Sequence, residues 1–199
     1  RPFDGLNHMT KIKYCGITSL EDAELAIGAG ATALGFNFYP PSPRYIDPQK
    51  AQSITRILPP AIWRVGVFVN ESKESIERIA RTTALSHLQF HGDETPEFCN
   101  GWKSWEVIKA IRLKEPSDLQ KRDLYEDVVE YFLFDYFDAK EFGGTGKVLS
   151  EELLEALQKK NVFQRAFLAG GLTPENISLL VSRLKPFGVD VASGIESSP

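Results

Sequence analysis

Eight short apolar runs, separated by segments with helix-start signatures and spread over 199 residues, predict an α/β protein folded as a (β/α)8 TIM barrel. The runs are IKYC (12–15), ALGFNF (33–38), RVGVFV (64–69), HLQF (87–90), EVIKAI (106–111), YFLFD (131–135), RAFLA (165–169) and VDVAS (189–193). Strand alternating with helix implies parallel strands joined by right-handed crossovers, in either an open doubly wound sheet or a closed barrel. Eight units favour the barrel.

The helical segments justify themselves in turn. Ser19-Leu20-Glu21-Asp22 is a capping-box pattern ahead of AELAIGAG. Asp47-Pro48, Thr95-Pro96 and Thr173-Pro174 each set a capping residue before a proline at the first turn. Residues 72–82 and 150–160 carry apolar side chains at helical spacing. A barrel of this kind typically needs about 250 residues, so the loops must be short and residues 9–199 are expected to form a single domain. The opening RPFDGLNH, ahead of the one methionine Met9, reads as vector-derived sequence and is set aside. After the eighth strand, residues 194–199 are too few for an eighth helix. An uncovered eighth strand exposes apolar surface, which predicts low stability or a partner over that face.

Composition narrows the function classes. Hydrophobic residues make up 42%, ordinary for a soluble globular chain. Net charge is −4, with 23 basic residues scattered among 27 acidic ones, which argues against nucleic acid or an anionic membrane as partner. No segment has the length of a membrane span and no leader pattern is present, so a cytoplasmic protein is expected. Cys15 and Cys99 with three histidines make neither a disulfide framework nor a zinc spacing. No metal site is expected, and Cys99 reads as a small buried hydrophobe. Monomer and homodimer both stay open.

Barrel chemistry sits where strands end at their carboxyl side. There the sequence sets Cys15, residues 39–44, Asn70, His91, Asp135, Gly170-Gly171 and Ser193-Gly194. A thiol, an imidazole, a carboxylate and two glycine turns converge on one rim. Cys15 also fits a buried apolar role, His91 a loop residue bonding its own backbone, and the glycines plain tight turns. Gly143-Gly144-Thr145-Gly146-Lys147 is not a phosphate-binding P-loop, because Glu141 and Val148 occupy required positions; Leu149 likewise excludes the dinucleotide fingerprint. Glycine turns after strands seven and eight are the usual phosphate cradle of this fold.

KYCGIT (13–18), GFNFYPPSPRY (35–45), VGVFVN (65–70), LQFHGDE (88–94), IKAIR (108–112), FDYFDAKEFGGTGK (134–147), LAGGLTPENI (168–177) and GVDVASGIESSP (188–199) together resemble the phosphoribosylanthranilate isomerase family of tryptophan biosynthesis. The match runs in order from Met9 across nearly the whole chain. One departure is Val148-Leu149-Ser150, where the family usually has a Phe-Asp-Trp-like segment.

The resemblance implies a cofactor-free Amadori rearrangement of N-(5-phosphoribosyl)anthranilate to 1-(2-carboxyphenylamino)-1-deoxyribulose 5-phosphate. It implies Cys15 as general base, Asp135 as general acid and Arg44 as holder of the anthranilate carboxylate. Gln89, His91 and Asp190 are implied substrate-binding positions, and Gly171, Ser193 and Gly194 phosphate-binding ones. Ring opening requires a protonated acid, so the site must raise Asp135 from an ordinary carboxyl pKa of about 3.9. A thiol is only a few per cent thiolate at neutral pH, so Cys15 requires a positive neighbour. The alternatives are another phosphate-binding barrel, such as indole-glycerol-phosphate synthase or a histidine-pathway sugar isomerase, and an inactive barrel serving as a binding module. The pairing of Cys15 with Asp135 argues against the first.

Overall fold

The computed structural model describes residues 9–136, 150–160 and 162–192. Eight strands close a parallel barrel in sequence order: β1 (Lys11–Cys15), β2 (Ala33–Asn37), β3 (Trp63–Phe68), β4 (His87–Phe90), β5 (Glu106–Leu113), β6 (Tyr131–Tyr136), β7 (Ala166–Ala169) and β8 (Gly188–Val191). Each predicted run forms its strand. The ring closes where β8 pairs with β1, which sets Lys13 opposite Asp190.

Alternate residues of a strand face opposite sides, and the two sides here bury different things. Leu34, Phe36, Leu88, Phe90, Phe132 and Phe134 point outward and pack with helix residues Ile54, Ile76, Leu154 and Leu180. Ala33, Val65, Ile108, Leu133 and Phe167, of the other parity, form a separate cluster inside the barrel. Its amino-terminal end is plugged by aromatic rings. Trp63 stacks on His87 at 3.8 Å, with Tyr131 at 5.2 Å and Phe187 at 6.1 Å. The opposite end is left for chemistry.

The helices are α1 (Leu20–Gly28), α2 (Pro48–Thr55), α3 (Lys73–Thr82), α4 (Pro96–Cys99), α5 (Glu151–Lys159) and α6 (Ile177–Leu184). Ser19, Asp47 and Thr95 cap their helices as read from the sequence, accepting from the backbone N–H of Asp22, Gln49 and Phe98. Two elements differ from expectation. The fifth crossover is a 3-10 helix, Pro116–Leu124, a polar stretch with Leu119 as its buried residue. Thr173-Pro174 does not open α6, which begins at Ile177. Instead Asn176 accepts from the Thr173 N–H and donates to the Gly171 carbonyl, both at 2.9 Å, folding the loop back before the helix starts.

Residues 1–8, the glycine loop at 143–147, Ser193, Gly194 and the rest of the short tail at 195–199 lie outside the described residues. Among the described residues no helix is long and apolar enough to cross a membrane.

Candidate active site

The last residues of the strands bring two polar groupings to the carboxyl-terminal rim. The first is built on β1, β2 and β8. Lys13 and Cys15, two apart on β1, share one face, and Lys13 is fully buried. Its Nζ donates to Asp190 Oδ1 at 2.8 Å. Beneath them lies Gly35, the register partner of Cys15. A Cβ at Gly35 would stand 2.9 Å from Cys15 Sγ and 3.1 Å from Lys13 Nζ, so glycine is what lets both heads occupy the space.

Arg44 joins this grouping from the loop after β2. Asn37 Nδ2 donates to Ser42 Oγ at 3.0 Å, and Ser42 Oγ accepts the Arg44 N–H at 3.2 Å, which folds the loop inward. The aliphatic stem of Arg44 lies over Gly16, where φ is +93° and a Cβ would meet Arg44 Cδ at 2.5 Å. Burial pushes the Cys15 thiol above its ordinary pKa; Lys13 pulls it back, Asp190 adds to the rise and Arg44 offsets part of it.

The second grouping is a hydrogen-bonded line across β4 and β6. Gln89 Nε2 lies 3.2 Å from His91 Nδ1, and His91 Nε2 lies 3.1 Å from Asp135 Oδ2. With Gln89 donating to Nδ1, the imidazole proton sits on Nε2 and is donated to Asp135. Gln89 is buried, and its Oε1 has no hydrogen-bond partner among the described residues. An unpaired buried acceptor costs about 1–3 kcal/mol, a cost relieved when a ligand hydroxyl donates to it. Asp135 packs against Gly170, whose φ is +84°; a Cβ there would stand 2.8 Å from Asp135 Oδ1 and 2.1 Å from the Tyr136 carbonyl oxygen.

Asp190 couples the two groupings. Burial is the main force raising its carboxyl pKa; Lys13 and then His91 oppose it, and Asp135 adds to it. A cavity of about 710 Å³ opens over the ends of β3, β4 and β5, lined in part by Tyr39, Asn70, His91, Ala110 and Tyr125, and meets the rim at His91. That is the size of a small-molecule site.

Cys15, Arg44, Gln89, His91, Asp135 and Asp190 thus meet at one end of the barrel. Gly171 stands in the β7–α6 loop, exposed, with φ +61° and open space where a Cβ would be. Ser193 and Gly194, expected from the sequence to bind phosphate with it, lie outside the described residues. Cys99 is buried, with its thiol pushed up to about 12 mainly by desolvation, in keeping with an inert apolar role. Among the described residues no group of His, Cys, Asp or Glu is placed to hold a metal ion.

Sequence reasoning missed two buried lysines. Lys13 is one. Lys109 is the other: its Nζ donates to Glu94 Oε2 at 2.8 Å and to the Gly92 carbonyl at 2.7 Å. Glu94 in turn accepts the backbone N–H groups of Asn70 and Gly92, locking the loops after β3 and β4 that present His91. The signal available was parity, since Lys13 alternates with Cys15 inside a strand that a barrel covers on both faces.

Comparison with known proteins places this geometry. The family model described as "N-(5'phosphoribosyl)anthranilate (PRA) isomerase" matches residues 12–198. The N-(5'-phosphoribosyl)anthranilate isomerase of Pelobacter propionicus is 45% identical over 191 residues, covering 96% of this chain and 88% of the relative. The crystal structure of phosphoribosyl anthranilate isomerase from Thermotoga maritima superposes with a TM-score of 0.88 at 39% identity, over 96% of this chain and 91% of that one. A second such structure, in complex with reduced 1-(o-carboxyphenylamino)-1-deoxyribulose 5-phosphate, gives 0.84 at 38% identity with the same coverage. Barrel, rim and comparisons agree: the chain belongs to the N-(5'-phosphoribosyl)anthranilate isomerase family.

Proposed function

We propose that the two groupings at the rim divide the acid and base work of one Amadori rearrangement, the isomerisation of N-(5'-phosphoribosyl)anthranilate in tryptophan biosynthesis. The observation that carries this reading is the pairing of a half-buried thiol with a carboxyl–imidazole line at the same strand ends, coupled through Asp190.

The reaction begins with ring opening. Asp135, held at Oδ2 by His91, gives a proton to the ribose ring oxygen as the C1–O bond breaks and the anthranilate nitrogen lone pair forms the C1=N bond. The resulting iminium acidifies the hydrogen on C2. Cys15, as thiolate, removes that proton, and its electron pair moves to C1=C2 to leave a neutral enolamine, which takes a proton at C1 and loses one from the C2 oxygen to become the ketone. General acid and general base each contribute roughly 100- to 10,000-fold.

The remaining residues hold the ends of the substrate. Arg44, placed beside Cys15, binds the anthranilate carboxylate bidentately. Gln89 Oε1, the buried acceptor without a partner, takes a hydrogen bond from a ribose hydroxyl, and Asp190 faces the same sugar. The loop bearing Gly171, with Ser193 and Gly194, binds the phosphate. Fixing both ends leaves C1 and C2 between acid and base. No step calls for a metal or cofactor. We infer a cytoplasmic enzyme, acting as a monomer or a homodimer; a dimeric relative is known from Thermotoga maritima.

The test is direct. Mixed with freshly made phosphoribosylanthranilate, the protein should extinguish the substrate's fluorescence and yield the deoxyribulose isomer on chromatography. A folded protein that leaves the substrate to its spontaneous decay would sink the reading.

A further inference from the structure

Cys15 needs a cation that stays in place through the catalytic cycle, and the two candidates beside it differ in their commitments. Arg44 is the residue assigned above to the substrate carboxylate, so its charge is neutralised when substrate binds. Lys13 cannot reach the substrate's far end, because it is fully buried and its Nζ is tied to Asp190 Oδ1 at 2.8 Å. An ammonium carries three donors and the Asp190 bond uses one. Its head shares the space over Gly35 with Cys15 Sγ, at 3.1 and 2.9 Å from where a Cβ would be.

We propose that Lys13 is the positioning residue of the thiol: its buried ammonium, kept in place by Asp190, is the fixed counter-charge against which Cys15 forms its thiolate while substrate is bound. This rests on Cys15 being the base, and it also gives Asp190 a task beyond contact with the sugar. A buried ammonium keeps its proton only beside an anion, and with Asp190 neutralised the Cys15 thiolate is the anion that remains. Burial acts to lower the Lys13 pKa, yet Asp190 and Cys15 together hold it above its ordinary value. The charged groups acting on the thiol are Lys13 from its own strand, Asp190 from β8 and Arg44 from the loop after β2; His91 and Asp135 act on Asp190 from β4 and β6.

The arrangement makes opposite predictions for the two members of the ion pair. Lys13→Met removes the charge that favours the thiolate, whereas Asp190→Asn removes one that opposes it. A purely structural pair would harm the site in the same direction whichever member is lost.

The experiment is the pH dependence of Cys15 alkylation by iodoacetamide, read by peptide mapping so that Cys99 is scored separately. Lys13→Met should raise the midpoint by a unit or more, a tenfold slower reaction at pH 8, and Lys13→Arg should restore most of it. Asp190→Asn should lower the midpoint. Should Lys13→Met fail to fold around an unpaired Asp190, the neutral double variant Lys13→Met with Asp190→Asn serves in its place. Its midpoint should still lie above that of the unsubstituted protein, because Lys13 acts on the thiol more strongly than Asp190 does. An unchanged midpoint in folded Lys13→Met, or both single variants moving the same way, would overturn the proposal. Alkylation needs no turnover, so an error in assigning Cys15 as base appears separately, as turnover that does not follow the thiolate fraction.

Discussion

His87 sits in the aromatic plug and makes the barrel acid-sensitive at a site remote from the chemistry. Its ring stacks on Trp63 at 3.8 Å and its Nδ1 lies 2.8 Å from Ser86 Oγ. Nε2 lies 3.2 Å from Glu106 Oε2 but makes no hydrogen bond among the described residues. Burial first, and the positive charge of Lys11 second, lower its pKa from 6.5 to about 4. With the folded value depressed, the unfolded chain takes up the proton first as pH falls. The stability that neutral burial confers is complete above about pH 6.5 and is lost as pH falls towards 4. A shift of that size is worth about 3 kcal/mol in all, of which about 2 kcal/mol disappears between pH 7 and pH 5. Urea unfolding at those two pH values, on the unsubstituted protein and on His87→Phe, measures it. Phenylalanine keeps a ring against Trp63 and removes the titration, so its own loss between the two pH values should be smaller by about 2 kcal/mol. An equal loss in both proteins would refute the argument.

Other outcomes follow from the same geometry. Lys109→Met strands the Glu94 carboxylate, which is buried and bonded to loop amides, and should cost about 3–5 kcal/mol in urea unfolding. The double variant Lys109→Met with Glu94→Gln should recover much of that. Gly170→Ala forces a side chain to φ +84° and against the Tyr136 backbone, so it should lower the melting temperature and displace Asp135, reducing turnover more than tenfold with little change in KM. In Asp135→Asn, where no acid titrates against the thiol, the residual kcat/KM should climb with pH beyond neutrality, because burial raises the Cys15 thiol. A profile flat above pH 7 would count against the thiolate.

The barrel was legible because its strands are buried on both faces, so each reads as an unbroken apolar run ending where the polar rim begins. That made Cys15, His91 and Asp135 visible as the residues on which runs stop. The caps at Ser19, Asp47 and Thr95 were legible because capping is local chemistry between residues two or three apart. Lys13 and Lys109 were not, because their meaning lies in partners that sequence order does not announce. Asp190 is 177 residues from Lys13, brought opposite only when β8 closes on β1. Glu94 is 15 residues from Lys109 but across a strand pair. Thr173-Pro174 misled for a related reason: Asn176 competes for the same backbone groups and holds the loop back until Ile177.

In the proposed mechanism Cys15 takes the C2 proton while Asp135 supplies the one that opens the ring. Single-turnover fluorescence decay with substrate carrying deuterium at C2, on the unsubstituted protein, Cys15→Ala and Asp135→Asn, tests it most directly. Each variant should lose roughly 100- to 10,000-fold in rate, with affinity for a reduced product analogue unchanged. In Asp135→Asn the isotope effect should shrink as ring opening becomes limiting. Cys15→Ala turning over within tenfold of the unsubstituted protein would rule out the thiol as the base.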